Sequence, residues 1–533
     1  MTTATASAIL HRNHRCRRQI LLVAVAVAMV LLVRGLLDSN SNEAYTTTAT
    51  TIKTTIKPNT GEIAKNDVFL ATSLPRFLQD YVRVHNHHTR MAGQNNYTTT
   101  TDQKYLIWQC AGPREGDGCG GTGDRIKGIV TAFYMAVCSR RVFQIDWTPS
   151  QNHNHNKEDE LTSFLQPHFI QWQLPPTLLS TNADTIKIIG QYKRMHGYNS
   201  LLLKELQVPS DNTNKTIWIV RTNRWYQNEM MDAHWYGGGH LNDTSWLTNQ
   251  SQCLQKYWKQ EDSLPIYADP RYLFRTAFSI LFQFSPAVLA ARRQMQGDAQ
   301  LLSSSSSSSE PALSTASSQS STRSLPPLAP YIAMHIRTGS KAFHDPGRHT
   351  SNQDYQTFYQ CAKRLQQGIW ERQQEQICNK KKDRQQSRLP IYVASDDAKV
   401  KQLVREMEMK EQQEKHLESN YGSTGGTIRT LPDLLLYHID KSKHYSNNNT
   451  TMTNNDSYKG ALTVWAELKL LMEATCLIMS TSGFSQLASW LQLSQPRSSS
   501  LQPPQHCAIH FEDCEDHDKL QQALDAAMEE MEC

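Results

Sequence analysis

The feature that most constrains this chain is a strand–helix alternation that occurs twice, once on each side of a run of seven serines, Ser303–Ser309. In the first stretch Tyr105–Gln109 reads as a buried strand. A glycine-rich turn, a helical pattern over Asp124–Ser139 and a second strand, Arg141–Ile145, follow. In the second stretch Tyr331–Ile336, Ile391–Ala394 and Cys476–Ser480 are short apolar strands, and helical patterns cover Tyr355–Gln366, Ala461–Ala474 and Ser485–Leu493, with a further helix starting at Asp396. Short apolar runs separated by helices belong in parallel sheets covered on both faces. The expectation is an α/β protein of two Rossmann-like domains, with ligands where strand C-termini meet the crevice between them.

The flanks of these stretches suggest an address. Ile20–Val33 is uninterrupted apolar sequence, and counting on to Leu37 gives 18 residues, ~27 Å as a helix at ~1.5 Å per residue. That spans a thin bilayer if Arg34 snorkels to the interface. Arg12, Arg15, Arg17 and Arg18 precede the run and should hold the N-terminus in the cytosol. Residues 1–19 are thus expected to be a cytosolic tail and 20–37 an uncleaved signal-anchor; a cleaved signal peptide is the alternative. Residues 38–103, with seven threonines in Thr46–Thr55, read as a lumenal stem too polar to repay its ordering entropy. The remaining boundaries are a first α/β domain at 104–298, a Ser-rich insertion at 299–328, a second α/β domain at 329–495 and an acidic C-terminal tail at 496–533. Within the second domain, 371–388 and 410–420 read as solvated helix or loop and 445–457 as an exposed loop.

Seven N-x-S/T sequons lie beyond the anchor, at Asn96, Asn214, Asn242, Asn249, Asn448, Asn449 and Asn455, as do ten of the eleven cysteines. A single-pass type II glycoprotein of the Golgi membrane, or of the ER, with disulfides in its lumenal part fits this pattern. Cys110 and Cys119 bracket a short glycine loop and are the first expected pair; no CxxC zinc spacing occurs. The net charge of +5 at first suggests an anionic polymer as partner, but the four arginines before the anchor leave only one unit for the rest. The charge is a topology signal, and nucleic acid drops out as a partner.

Three constellations could carry chemistry. Gly118–Arg125 contains GxGxxG, and Asp146 ends a strand 23 residues after Gly123, a spacing that admits a dinucleotide-binding oxidoreductase. Eight residues, Cys110–Asp117, nevertheless separate the strand from the glycines. The loop suits the approach of an anion to a helix N-terminus, with Gly121, Gly123, Asp124 and Arg125 the residues concerned. Second, His335-Ile336-Arg337 closes a strand and Lys341 and Asp345 follow; an Arg fork grips a diphosphate, and a carboxylate beside a lysine serves as general base. His344 and His349 lie nearby without a second ligand pattern, so no metal site is expected. Third, Ser480–Gln486 joins a strand to a helix and offers hydroxyls and N–H groups to phosphate. Asp396 and Asp397, after Ile391–Ala394, read as a helix cap or a ribose or base contact. The only Asp-x-Asp, Asp516-His517-Asp518, lies in the acidic tail.

In this order, Gly120–Val130 with Arg141–Trp147, His335-Ile336-Arg337, Ile391–Asp397 and Ser482–Gln486 resemble the motifs of the GDP-fucose-dependent fucosyltransferases, the superfamily of α1,6-, nodulation-type, plant α1,2- and protein O-fucosyltransferases. The resemblance runs from about Tyr105 to Trp490 without the serine insertion. It implies a GT-B-like fold behind the single N-terminal helix, with 104–298 on the acceptor side and 329–495 binding the GDP-sugar. It also implies inverting transfer of L-fucose from GDP-fucose, as co-substrate, to a glycan or glycoprotein, with no cofactor and no metal. Arg337 would bind the β-phosphate and assist departure of GDP, His335 would position the nucleotide, and Asp345 with Lys341 would form the base. Asp396, Asp397, Glu467, Ser482, Ser485 and Gln486 would complete the donor site. Thr338 and Ser340 depart from the α1,6 branch, which has Arg and Asp there, and Asp345 stands where that branch has Glu. Another nucleotide-sugar transferase, a sulfotransferase, or a non-catalytic lumenal glycan-binding protein uses similar anion-gripping parts.

Overall fold

The computed structural model describes residues 74–92, 103–109, 121–147, 161–175, 178, 186–189, 217–221, 270–301, 329–338, 352–380, 388–418, 428–431, 454–492 and 507–531. The expected anchor, Cys110 and Cys119, most of the serine insertion, Lys341, Asp345 and all the sequons but Asn455 lie outside them. Among the described residues no helix is long and apolar enough to cross a membrane.

Two all-parallel sheets form the framework. In the first, β1 (Tyr105–Gln109), β2 (Val142–Asp146), β4 (Ile186–Ile189) and β5 (Ile217–Val220) lie in the order β2-β1-β5-β4. In the second, β7 (Ile332–Ile336), β8 (Ile391–Ser395), β9 (Ile428–Thr430), β10 (Cys476–Met479) and β11 (Ala508–His510) lie in the order β11-β10-β7-β8-β9. A small antiparallel pair, β3 (Leu165–Pro167) with β6 (Phe282–Phe284), sits apart. Sequences such as IAMHI in β7 and IWIV in β5 are buried at every position, as strands of a parallel sheet covered on both faces must be.

The helices in chain order are α1 (Arg76–Ala92), α2 (Thr122–Ser139), α3 (Pro270–Leu281), α4 (Pro286–Asp298), α5 (Asn352–Lys380), α6 (Ala398–Glu418), α7 (Asn454–Met472), α8 (Gly483–Leu491) and α9 (His517–Met531). Their ends follow local chemistry. Ser285 caps α4, its Oγ accepting from the Val288 N–H at 3.3 Å with Pro286 in the first turn, and Ser482 caps α8 by accepting from Phe484 N–H at 3.2 Å. The stretches 371–380 and 410–418 continue α5 and α6, and the loop expected up to Ser457 gives way to α7 at Asn454.

Two expectations need correction. The stem does not reach residue 103: α1 buries Phe77, Leu78, Tyr81 and His85 in the first lobe. Tyr81 donates to Arg141 O at 2.8 Å and Asn86 to Phe169 O at 2.7 Å. The acidic tail is also folded. β11 extends the second sheet beside β10, α9 packs on α5, and Ala526 and Ala527 are in the core. Disulfides Cys361–Cys514 and Cys476–Cys507 close loops of 153 and 31 residues around this segment, together restricting the unfolded chain by about 3–5 kcal/mol each. Many charges on one face of α9 hid its buried Ala and Leu stripe. The two lobes also pack together, α7 on α4 and α8 on α2 and α3. One hydrophobic core therefore runs from Trp108 and Phe133 of the first lobe to Trp465, Tyr392 and Ala333 of the second. The opposite face of the second sheet has its own core under α5 and α9, including Phe358 and Phe511.

Candidate active site

In the second sheet the chain runs from β7 outward through β8 to β9 and then returns to β10 on the other side of β7. The strand order thus reverses between β7 and β10, the position at which parallel sheets bind ligands. Beyond these strand ends stand His335 and Arg337 from β7, Ser480 from β10, Asp396 from β8 and the N-terminus of α8.

Each of these groups is held by another. His335 is buried, and its Nδ1 lies 2.6 Å from Ser485 Oγ and 3.4 Å from Ser480 Oγ. Ser480 Oγ in turn lies 3.1 Å from Ser485 Oγ and accepts from the Arg337 N–H at 3.3 Å. Burial, with the Arg337 and Lys401 charges adding to it, pushes the His335 imidazole down to about 3. The ring is therefore neutral at physiological pH. Asp396 accepts at Oδ1 from both Thr338 N–H, at 2.8 Å, and Thr338 Oγ1–H, at 3.0 Å. Its Oδ2 lies 2.8 Å from Arg337 Nη1, an ion-pair contact without an aligned N–H. Arg337 keeps about 21% of its side chain exposed and Asp396 about 10%. The carboxylate is thus backing that aims a partly accessible guanidinium outward.

The first lobe meets this edge through its glycine turn. Gly121 precedes α2 in extended conformation, and Gly123 in the first turn lies so close to α8 that a Cβ there would be 2.5 Å from Gly483 O. Reciprocally, a Cβ on Gly483 would be 3.0 Å from Asp124 Oδ1 and 3.3 Å from Lys127 Nζ. The N-termini of α2 and α8 therefore converge, and the approach leaves no room for a side chain at Gly123. Each end carries a partial positive charge and N–H groups without helical partners, so the junction favours an anion. Asp124 and Lys127 pair at 3.7 Å within the first turns of α2, beside this junction; burial lowers the Lys127 ammonium, against the Asp124 charge, which raises it.

The other expected residues take different places. Arg125 is buried, with its guanidinium 4.9 Å from the Trp147 ring, so it braces α2 on β2. Asp397 caps α6 by accepting from Lys399 N–H at 2.9 Å. Glu467, on α7, accepts from Tyr392 OH at 3.1 Å, and burial raises its carboxyl while the Lys401 charge opposes the rise. Gln486 lies on the exposed side of α8, and Ser482 is that helix's cap. Sequence reasoning missed Thr338, Lys401 and Tyr392. Thr338 looked only like a departure from a motif, and Lys401, 3% exposed and donating to Leu431 O at 3.4 Å, looked like one surface lysine among several on α6. Among the described residues no group of three His, Cys, Asp or Glu is placed to hold a metal ion.

No protein-family model and no curated protein matches the sequence. Among solved structures, the chain is similar to an Arg-to-Lys mutant of FUT1 from Arabidopsis thaliana in complex with GDP, at 13% identity over 79% of each chain, with a TM-score of 0.40. It is also similar to the fucosyltransferase NodZ from Bradyrhizobium, at 12% identity over 72% of this chain and 92% of that one, TM-score 0.34. A third is POFUT1 in complex with GDP-fucose, at 11% identity over 77% of this chain and 98% of that one, TM-score 0.29.

Proposed function

We propose that the protein is a fucosyltransferase that moves L-fucose from GDP-fucose to a glycan or glycoprotein acceptor with inversion, as a type II membrane protein of the Golgi with its folded part in the lumen. The observation that carries this reading is Arg337, held by Asp396 at the strand-order reversal and flanked by two converging helix N-termini. That set of positive groups matches a nucleoside diphosphate, whose negative charge grows as its bond to the sugar breaks. The motif order of the sequence supplies the sugar.

In this mechanism the acceptor oxygen bonds to the fucose anomeric carbon as the bond from that carbon to the β-phosphate oxygen breaks. The acceptor proton passes to Asp345, the base that the sequence motif implies together with Lys341, and GDP leaves with the bonding pair. Arg337 and the N–H groups of α8 bind the departing diphosphate, so no metal is expected to be required; a preorganised donor of this kind is worth about 3–4 kcal/mol in the transition state. His335, neutral and fixed by Ser485, helps position the nucleotide without adding charge. Glu467, Asp124 and Ser482 would complete the donor site.

A donor screen by thermal shift tests the reading. GDP and GDP-fucose should raise the melting temperature of the chain, and release of GDP should require an acceptor. A transition raised by 3′-phosphoadenosine-5′-phosphosulfate or by NAD, and not by GDP, overturns it.

A further inference from the structure

Lys127 stands beside the junction of the lobes and has no part in the transfer reaction as proposed. It lies in the second turn of α2, and side chains on a helix lean back toward its N-terminus. Its Nζ does so and reaches the first residue of α8, where a Cβ on Gly483 would be 3.3 Å from it. The same helix N-terminus is tied to Arg337 from the other side. The Arg337 N–H donates to Ser480 Oγ at 3.3 Å, and that oxygen lies 3.1 Å from Ser485 Oγ in the first turn of α8. Each lobe thus brings one cation to the helix whose N–H groups would bind the diphosphate, Arg337 from β7 and Lys127 from α2.

The surroundings of Lys127 hold its charge loosely. Its side chain is about 13% exposed, and burial lowers the ammonium while Asp124 opposes the fall. Asp124 Oδ1 is 3.7 Å away, longer than the ~2.7–2.9 Å of a close charge-assisted bond, and that carboxylate is itself 43% exposed. The Trp490 ring lies 5.5 Å from Nζ; an aromatic face attracts a cation but offers no lone pair. Lys469 shows the structural alternative. Its side chain is also 13% exposed, but its Nζ is 3.1 Å from Glu473 Oε1, which Arg292 Nη1 meets at 2.8 Å. A desolvated ammonium without so close a partner is costly to keep, and it sits where two helix N-termini already favour an anion.

We propose that Lys127 is a second diphosphate-binding residue, supplied by the first lobe. On donor binding its ammonium turns from Asp124 to the phosphates that Arg337 also holds, so the donor ties the two lobes together. This inference rests on the donor reading above.

Calorimetric titration of the full chain with GDP and with guanosine tests it. Lys127→Met keeps an unbranched apolar stem beside Trp490 and removes the charge. It should weaken GDP by about tenfold or more and guanosine by less than about twofold, because the loss lies in the phosphates. Lys127→Arg, which restores a cation, should recover most of the GDP affinity. The urea midpoint of Lys127→Met should stay level or rise, since an apolar group replaces a desolvated charge. Adding Asp124→Asn to Lys127→Met separates a direct grip from mere screening of Asp124: with a direct grip GDP stays weak, whereas with screening it recovers. GDP affinity unchanged in Lys127→Met, recovered in the double variant, or lost in step with guanosine and the urea midpoint overturns the inference alone, because the wild type still binds GDP. A wild-type chain that does not bind GDP removes the donor reading and this inference with it.

Discussion

The two lobes present the same kind of edge with different polar chemistry. Both sheets are parallel and both reverse strand order, between β1 and β5 in the first and between β10 and β7 in the second. At the first edge Arg221 donates to Gln109 Oε1 at 2.8 and 2.6 Å, and Gln109 donates to Asp146 at 2.7 Å. A neutral amide thus spaces the cation from the anion across three strands. At the second edge Arg337 sits directly on Asp396, over a buried neutral histidine and two serines. A spaced row of half-buried polar groups presents hydrogen bonds without concentrated charge, whereas a single aimed guanidinium between helix N-termini concentrates it. The fold is shared, and the placement of one carboxylate decides which edge is suited to a diphosphate.

The largest expected effect separates these edges. Arg337→Ala should lower kcat by about 10²–10³-fold and weaken GDP, while Arg221→Ala leaves the thermal shift with GDP unchanged. Equal loss of GDP binding in the two variants would erase the distinction. Next in size is acid sensitivity, in which the lobes should behave alike. Burial lowers His335 to about 3 and His85 to about 4, both from an ordinary value of 6.5. Each is protonated more readily in the unfolded chain, so stability is full above pH ~6.5 and falls as pH drops below it, down toward the folded values. By pH 4.5 each histidine should have cost about 2–3 kcal/mol. Urea unfolding of His335→Asn and His85→Asn should each show a flatter fall between pH 7 and 4.5, within a single transition because the lobes share a core. A slope unchanged in both variants refutes the assignment.

Part of the sheet framework was readable from the sequence, where strands buried on both faces leave short apolar runs, whereas β4, β5, β9 and β11 were not read. Tyr105–Gln109 and the strands beginning near Tyr331, Ile391 and Cys476 all form at or within a residue or two of their expected bounds. The ends were not readable. α1 carries histidines and arginines on its outer face and α9 glutamates and aspartates, and a polar composition concealed one buried stripe in each. The site was half readable. His335, Arg337 and Asp396 were identified by residue type at strand ends, and the structure brings them together with Ser485. That Asp396 serves Arg337, and that Thr338 secures Asp396 by two bonds, depends on β7 and β8 being neighbours, which no local pattern encodes. Arg125 looked like a ligand for the same reason: a charge beside glycines does not disclose that Trp147 covers it.

The junction between the lobes gives a smaller but sharper comparison. A methyl group added at Gly123 meets backbone, Gly483 O at 2.5 Å, whereas one added at Gly483 meets the Asp124 side chain at 3.0 Å. Backbone in two packed helices cannot yield without moving a lobe, but a carboxylate can rotate. Gly123→Ala should therefore cost about 1–3 kcal/mol of stability and loosen GDP, and Gly483→Ala clearly less, read from urea midpoints and thermal shift. If Gly483→Ala proves the costlier change, the helix N-termini do not meet as described.

The smallest effect tests how Asp396 is held. Thr338→Val keeps the shape and the backbone N–H bond to Asp396 Oδ1 at 2.8 Å but removes the hydroxyl donor at 3.0 Å. The loss should be about 1 kcal/mol, and because Asp396 aims Arg337, it should appear in kcat more than in stability. Thr338→Ser, which restores the donor, should recover the rate. If valine and serine perform alike, the hydroxyl is incidental, and the backbone N–H alone positions the carboxylate.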